Sequence, residues 1–139
     1  MRRLDIGCGK NKRDGFIGVD IDPSSDADVV ASATNLPFKD CSVDTVNCSH
    51  LLEHLYPQEA HAFFDEVHRV LKPGGNAYIK IDRDWSTGRL LRKDPEHKYR
   101  YEPDEIKEML HKFSIKKVKK VMYLYKFIPK NKIFVEVKK

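Results

Sequence analysis

The sequence predicts an α/β fold: a mostly parallel sheet with helices on both faces and an antiparallel hairpin at its C-terminal end. Three observations carry this. Short apolar segments alternate with polar ones through the first half of the chain. A segment with clear helical periodicity follows, and the last residues read as two strands around a Pro-Lys-Asn-Lys turn. Strands alternating with helices favour a parallel sheet, whereas two strands joined by a short turn must pair antiparallel.

The elements follow in order. Leu4–Ile6 is a short strand that ends in Gly7-Cys8-Gly9. Phe16–Asp20 is a second strand, stopped by Pro23, and Asp28–Ala31 and Val43–Cys48 are the third and fourth. From Gln58 to Leu71, the residues Ala60, Phe63, Phe64, Val67, Val70 and Leu71 recur at helical spacing on one face. Lys72 in the last turn and Pro73-Gly74-Gly75 beyond it supply the stop. Ala77–Ile81 alternates like a strand. Residues 83–102 are long, polar and irregular, and loops of that length in a compact domain are often functional, such as lids. Pro103 opens a helix whose stripe is Ile106, Met109, Leu110 and Phe113. Val118–Phe127 and Ile133–Val137 form the hairpin, with Pro129-Lys130-Asn131-Lys132 as its turn.

Composition sets the bounds. The chain has 139 residues, 40% hydrophobic and 34% charged, as expected for one folded domain over residues 1–139. No apolar run approaches the roughly 18 residues of a membrane span, and Met1–Ile6 lacks the apolar stretch of a signal peptide. A cytoplasmic location is expected. Cys8, Cys41 and Cys48 are odd in number and lack CxxC spacing, which argues against a disulfide framework and a cysteine-based metal site. Charge is uneven. Residues 1–82 hold nine Lys/Arg against thirteen Asp/Glu, and residues 83–139 seventeen against eight, for nets of −4 and +9. Such asymmetry points either to an anionic partner or to a solvated, lysine-rich surface.

In parallel sheets ligands bind beyond the carboxyl ends of the strands. Two features there carry chemistry. Gly7 and Gly9 let the backbone turn sharply and approach a ligand. Asp20, at the end of the next strand, is placed to accept hydrogen bonds from both ribose hydroxyls of a nucleoside. Asp20 follows Gly9 by only eleven residues, whereas a dinucleotide-binding unit spaces these features by roughly 20. Lys10–Gly15 is too short for a full crossover helix, so a pyrophosphate on a helix N-terminus is not expected. A ligand with one ribose and a small carboxylate fits better. Lys10, Lys12 and Arg13 offer that carboxylate a positive loop.

Six motifs then occur in order: Leu4-Asp5-Ile6-Gly7-Cys8-Gly9, Gly18-Val19-Asp20, Asn35-Leu36-Pro37-Phe38, Ser42-Val43-Asp44-Thr45-Val46, Ser49-His50-Leu51-Leu52-Glu53-His54-Leu55 and Arg69-Val70-Leu71-Lys72-Pro73-Gly74-Gly75. Over residues 3–82 this string resembles the class I S-adenosylmethionine (SAM)-dependent methyltransferases of the methyltransferase 11 type, which have a Rossmann-like sheet. The resemblance implies SAM as cofactor and methyl transfer as activity. It implies that Asp5 orients the glycine loop and the methionine amine, and that Gly7, Cys8 and Gly9 pass close to the methionine end. Asp20 would hold the ribose, Ile21 would lie against the adenine, and Ala33 and Thr34 would edge it. Cys48, Ser49 and His50 would lie under the sulfonium and the incoming nucleophile. Ser32 stands where the family usually has an acidic residue for the adenine amino group. The chain lacks the family's first crossover helix and the helices before the first strand, so residues 83–102 would be the only lid, or a partner chain would complete the site.

Alignment supplies most of the catalysis in methyl transfer, because the sulfonium is already activated. A general base is needed only for a protonated nucleophile. His50 and His54 are the candidate catalytic residues, with Asp82, Asp84 and His97 behind them. His50-Leu51-Leu52-Glu53-His54 also matches an H-x-x-E-H zinc-protease pattern, which on a helix would place both histidines on one face. That reading needs a third ligand such as Glu102 or Glu105, and no metal is expected. Trp85 and Tyr99-Arg100-Tyr101 are candidates for stacking on a base or aromatic substrate.

The acceptor is expected to be anionic, such as RNA or a nucleotide-like metabolite. The alternatives are a non-catalytic SAM-binding subunit that supports a partner protein, and an RNA-binding protein with a degenerate cofactor site.

Overall fold

The computed structural model describes residues 1–83, 96–125 and 128–139. Seven strands form one sheet: β1 (Arg3–Ile6), β2 (Ile17–Asp20), β3 (Val29–Val30), β4 (Val43–Ser49), β5 (Leu71–Asp82), β6 (Ser114–Tyr125) and β7 (Ile128–Lys138). Their order is β3-β2-β1-β4-β5-β7-β6. The first five strands pair in parallel, and β7 runs antiparallel to both β5 and β6. The order reverses between β1 and β4, the switch point at which such sheets open a crevice.

Register explains the core. Leu4, Val46, Ala77 and Val137 lie side by side across four strands, and so do Ile6, Cys48, Ile79 and Val135. All eight are buried. Strand side chains alternate, so the intervening row, with Asp5, Asn47, Tyr78 and Glu136, falls on the opposite face.

Two helices cover the apolar face. α1 (Pro57–Val70) starts with proline in its first turn, and the Glu59 side chain accepts from the Tyr56 N–H. It contributes Ala60, Phe63, Phe64, Val67 and Val70 to the core. α2 (Pro103–Met109) contributes Ile106 and Met109. Helices predicted on both faces are thus described on one. The connections at 7–16, 21–28 and 31–42 hold no helix among the described residues. They are too short or too rich in turn residues to build one and return.

The hairpin also differs from expectation. Pairing continues to Tyr125↔Ile128, so Pro129–Lys132 belongs to β7 and is not the turn. Pairing with β5 ends at Asp82↔Lys132. Among the described residues Pro129 therefore has a strand neighbour on one side only, a position that tolerates a residue without an N–H.

Arg69 ties two sequence motifs together. Its guanidinium donates to Glu66 at 2.7 and 2.8 Å, to Asp40 at 2.7 Å, and to the carbonyls of Phe38 and Leu36 at 2.8 and 2.9 Å. Glu66 in turn accepts from the Leu36 N–H. This fork pins the Leu36-Pro37-Phe38 loop to the end of α1. Arg69→Ala should cost about 2–3 kcal/mol in urea unfolding, because it leaves two carbonyls and two carboxylates without this donor. Arg69→Lys should recover only part, since a lysine cannot reproduce the planar fork. A loss below about 0.5 kcal/mol for the alanine variant, the range of ordinary surface changes, would contradict this role.

Candidate cofactor site

Two cavities open at the carboxyl ends of β1, β2 and β4. One, of about 260 Å³, is lined by Gly7, Asp20, Ile21, Ser32, Ala33, Thr34, Leu51 and His54, with Leu55, Glu59 and Lys98 at its rim. The other, of about 290 Å³, is lined by Asp5, Gly7, Cys8, Asn11, Arg13, Asn47, Ser49 and His50. Gly7 belongs to both. Each falls just short of the roughly 300 Å³ at which small-molecule sites begin. Together they make one divided site, with a nucleoside-sized half on the β2 side and a short polar half on the β4 side.

The loop between β1 and β2 builds the divide. Asp5 is buried. Its carboxylate accepts from the Arg13 N–H at 2.8 Å and from Asn47 Nδ2 at 2.7 Å. Asp20 accepts from the Gly9 N–H at 2.8 Å and from the Asp22 N–H at 2.9 Å. Gly7 sits at φ +69°, and a Cβ there would meet the Leu51 side chain at 3.2 Å. Gly9 sits at φ +53°, and a Cβ there would meet nothing within 4 Å. The loop is therefore shaped by two carboxylates and two left-handed glycines in place of a helix.

The predicted residues divide as follows. Asp20, Ile21, Ser32, Ala33 and Thr34 line the nucleoside half, where Ser32 Oγ and Thr34 Oγ1 are 2.8 Å apart. Asp5, Cys8, Ser49 and His50 line the other half, and Gly9 borders neither cavity but anchors Asp20. Cys48 departs from expectation. Its thiol points into the core beside Ile6 and Ile79, and burial pushes its pKa well up. Lys12 also departs: its ammonium is held by Asp28 at 2.9 Å, whereas Arg13 and Asn11 reach the polar half. Asn47, absent from the predicted set, is central. Strand alternation carries the signal, since it sends 46 and 48 to one face and 47 and 49 to the other.

The two histidines do not share a face. His50 has φ +59°, and Leu52–His54 is a single 3-10 turn, so the pentad is not an α-helix. His54 lines the nucleoside half and its Nδ1 lies 3.0 Å from the Glu96 carbonyl. His50 Nδ1 lies 3.5 Å from Glu53 and 3.7 Å from Asp82. The two carboxylates, Asp82 first, raise the His50 pKa from 6.5 to about 9, against the opposing Lys132 ammonium. At neutral pH His50 therefore carries a proton. His50, Glu53 and Asp82 bring one ligand atom each within 4.8 Å, as do Glu53, His54 and His97. Glu53 is buried, and neither carboxylate oxygen has a hydrogen-bond partner among the described residues.

Tyr101 is fully buried and donates to the Leu55 carbonyl. Tyr99 donates to Glu105, and the two rings lie 4.7 Å apart. Both fasten α2 to the turn after β4, so neither is free to stack on a substrate. Residues 97–101 lie among the described ones, and Lys98 borders the nucleoside half. Trp85, Asp84 and most of the expected lid lie outside the described residues.

A glycine turn at the switch point, a carboxylate closing the second strand and a divided crevice define a nucleoside-binding α/β domain. The family comparison narrows that class. Residues 4–79, more than half the chain, match the family described as "Methyltransferase domain", and the chain belongs to that family. Solved structures agree in fold. A SAM-dependent methyltransferase from Methanosarcina mazei matches with 22% identity and a TM-score of 0.78, covering 99% of this chain and 92% of its own. One from Archaeoglobus fulgidus matches with 22% identity and a TM-score of 0.75, covering 99% and 86%. A Haloferax volcanii putative methyltransferase in complex with the Trm112 methyltransferase activator matches with 18% identity and a TM-score of 0.73, covering 99% and 81%.

SAM is the cofactor of this family, and the residues fit it. Ile21, 72% exposed beside the nucleoside half, offers an apolar wall that an adenine would cover. Asp20 borders the same half, and each of its oxygens keeps a lone pair beyond its backbone hydrogen bond. Arg13 and Asn11 give the polar half donors for a carboxylate, and Asp5 gives it an acceptor for an amine.

The His50 shift has a consequence for stability. A histidine whose pKa is raised by folding stabilises the native state fully below its unfolded value of 6.5, and this contribution is lost as pH rises through about 9. Wild-type melting temperature should therefore fall relative to His50→Gln between pH 6.5 and pH 9, read by calorimetry across that range. Parallel curves would show that the two carboxylates do not hold the proton.

Proposed function

We propose that this chain is a SAM-dependent methyltransferase acting on an anionic acceptor. The observation that carries the reading is the divided site. Its two halves meet over Gly7, with Asp20 on the nucleoside side and Asp5, Arg13 and Asn47 on the amino-acid side. Bound SAM supplies a methyl group already activated by the sulfonium. The chain supplies position: Asp20 for the ribose hydroxyls, Ile21 and Ala33 for the adenine, Asp5 for the amine, and Arg13 for the carboxylate. Ser49 and His50 border the half where the nucleophile would enter. His50 is protonated at neutral pH and paired with Glu53 and Asp82, so it acts as a base only after releasing its proton. The excess of Lys and Arg after residue 82 supports an anionic acceptor.

A second reading is a SAM-binding subunit that works with a partner chain. Two features favour it: the two carboxylates that hold His50 and keep it from serving as a free base, and the likeness to a Haloferax volcanii fold that is complexed with an activator. In that case the isolated chain binds cofactor and the partner completes the acceptor side.

Calorimetry with S-adenosylhomocysteine tests what both readings share. Wild type should bind in the micromolar range. Asp20→Ala should weaken binding at least tenfold, because it removes hydrogen bonds to a charged acceptor, worth about 1.5–3 kcal/mol. Ser32→Ala should weaken it by less than about threefold. No binding to the wild type, or equal binding to Asp20→Ala, would remove the cofactor assignment.

A further inference from the structure

The sheet face opposite the core carries a cleft of about 440 Å³, and neither α1 nor α2 lines it. Strand register sets its pattern. Tyr78 pairs with Glu136, and Lys80 with Phe134. On the next strand Lys117 lies beside Glu136 and Lys119 beside Phe134. These side chains share one face. The β1–β2 loop adds Arg13 and Phe16 at the other side. Cations and rings interleave: Lys80 Nζ lies 5.6 Å from the Phe134 ring, and the Arg13 guanidinium 5.6 Å from the Phe16 ring. Tyr78 leaves 44% of its surface exposed.

The chemistry of this face indicates what covers it. A helix or a second copy of the chain would call for an apolar surface, as α1 meets on the other side. Here the cleft floor holds Thr45, Asn47, Ser49, Lys80, Lys117 and Glu136. Three cations, Arg13, Lys80 and Lys117, line the cleft against one carboxylate, Glu136, and Lys119 follows Lys117 on the same face. Aromatic rings on an open sheet, flanked by lysines and arginines, suit unstacked bases joined by phosphates. A double helix keeps its bases stacked inside and would offer this face only phosphates. We infer that this sheet face is a binding platform for single-stranded nucleic acid, with Tyr78 and Phe134 stacking on bases and Lys80, Lys117 and Lys119 meeting phosphates. Arg13, Asn47 and Ser49 line both this cleft and the polar half of the cofactor site. A strand on the platform therefore lies next to that site. Binding itself does not depend on methyl transfer.

The test is fluorescence anisotropy with a labelled oligouridylate about twelve nucleotides long, within the span that single-strand sites cover. Wild type should bind at low salt. A fourfold rise in salt should weaken binding roughly 20-fold, as expected when about three phosphates are neutralised on a single strand. Phe134→Ala and Tyr78→Ala should each weaken binding about tenfold, the middle of the stacking range. Phe134→Leu, which keeps the apolar bulk, should also weaken it, while melting curves confirm that each variant is folded. Lys80→Gln with Lys117→Gln should flatten the salt dependence. Lys112→Gln, on a residue paired with Asp65 of α1, should change binding less than twofold. An absence of binding at low salt would overturn the proposal. So would equal affinity for a duplex of the same length, indifference to both aromatic variants, or uridine monophosphate binding as tightly as the oligomer. Calorimetry with S-adenosylhomocysteine on the same samples keeps failure of this platform distinct from failure of the cofactor site.

Discussion

A buried carboxylate holds the ligand end of this sheet together. Asp5 leaves β1 on the polar face, is almost wholly withdrawn from water, and accepts one hydrogen bond from each of two neighbours. Asn47 brings in β4, the strand on the far side of the switch point. The Arg13 N–H brings in the loop that returns to β2. A buried charge is costly unless it is well hydrogen-bonded. Here these two hydrogen bonds fix the spacing of β1 and β4 and the path of the loop at once. A crossover helix would do this by packing. Asp5 does it with two hydrogen bonds, and so lets residues 7–16 connect parallel strands without a helix. Asp20 completes the arrangement by holding Gly9.

The same economy shapes the rest of the molecule. With only two described helices, both on the apolar face, the sheet is asymmetric. One face is a continuous aliphatic layer under Phe63, Phe64, Val67, Ile106 and Met109. The other face carries the rings of Tyr78 and Phe134 among Lys80, Lys117 and Glu136. The site sits at the border, where the loop rises over the ends of β1, β2 and β4. Its nucleoside half leans on the apolar Ile21, Ala33 and Leu51, and its other half on the polar face. The proton on His50 belongs to the same border, since Glu53 and Asp82 reach it from the ends of β4 and β5.

Much of this was legible in the sequence, and the physical reasons separate what was from what was not. Periodicity placed α1 within a residue at each end, because Phe63, Phe64, Val67 and Val70 face one core. The glycine turn and Asp20 were legible because a ligand-binding turn needs left-handed residues at fixed places. The short gap between Gly9 and Asp20 correctly implied a loop without a helix. Pro129 misled the reading of the hairpin, because a proline signals a turn unless one side of the strand is free of partners. Cys48 and Asn47 exchanged places because motif resemblance marks a stretch, while alternation decides which residues of the stretch face the ligand. The pairing of Lys12 with Asp28 and the proton on His50 depend on residues brought together only by the fold.

Two cavities, divided by a loop that Asp5 and Asp20 shape, are proposed to hold one ligand. A crystal structure of the chain with S-adenosylhomocysteine tests it most directly. Density should run continuously across Gly7, with the ribose on Asp20, the adenine against Ile21, and the amino-acid end among Asp5, Arg13 and Asn47. A nucleoside in one cavity with its amino-acid end directed away from Asp5, or a ligand seated elsewhere, would contradict it.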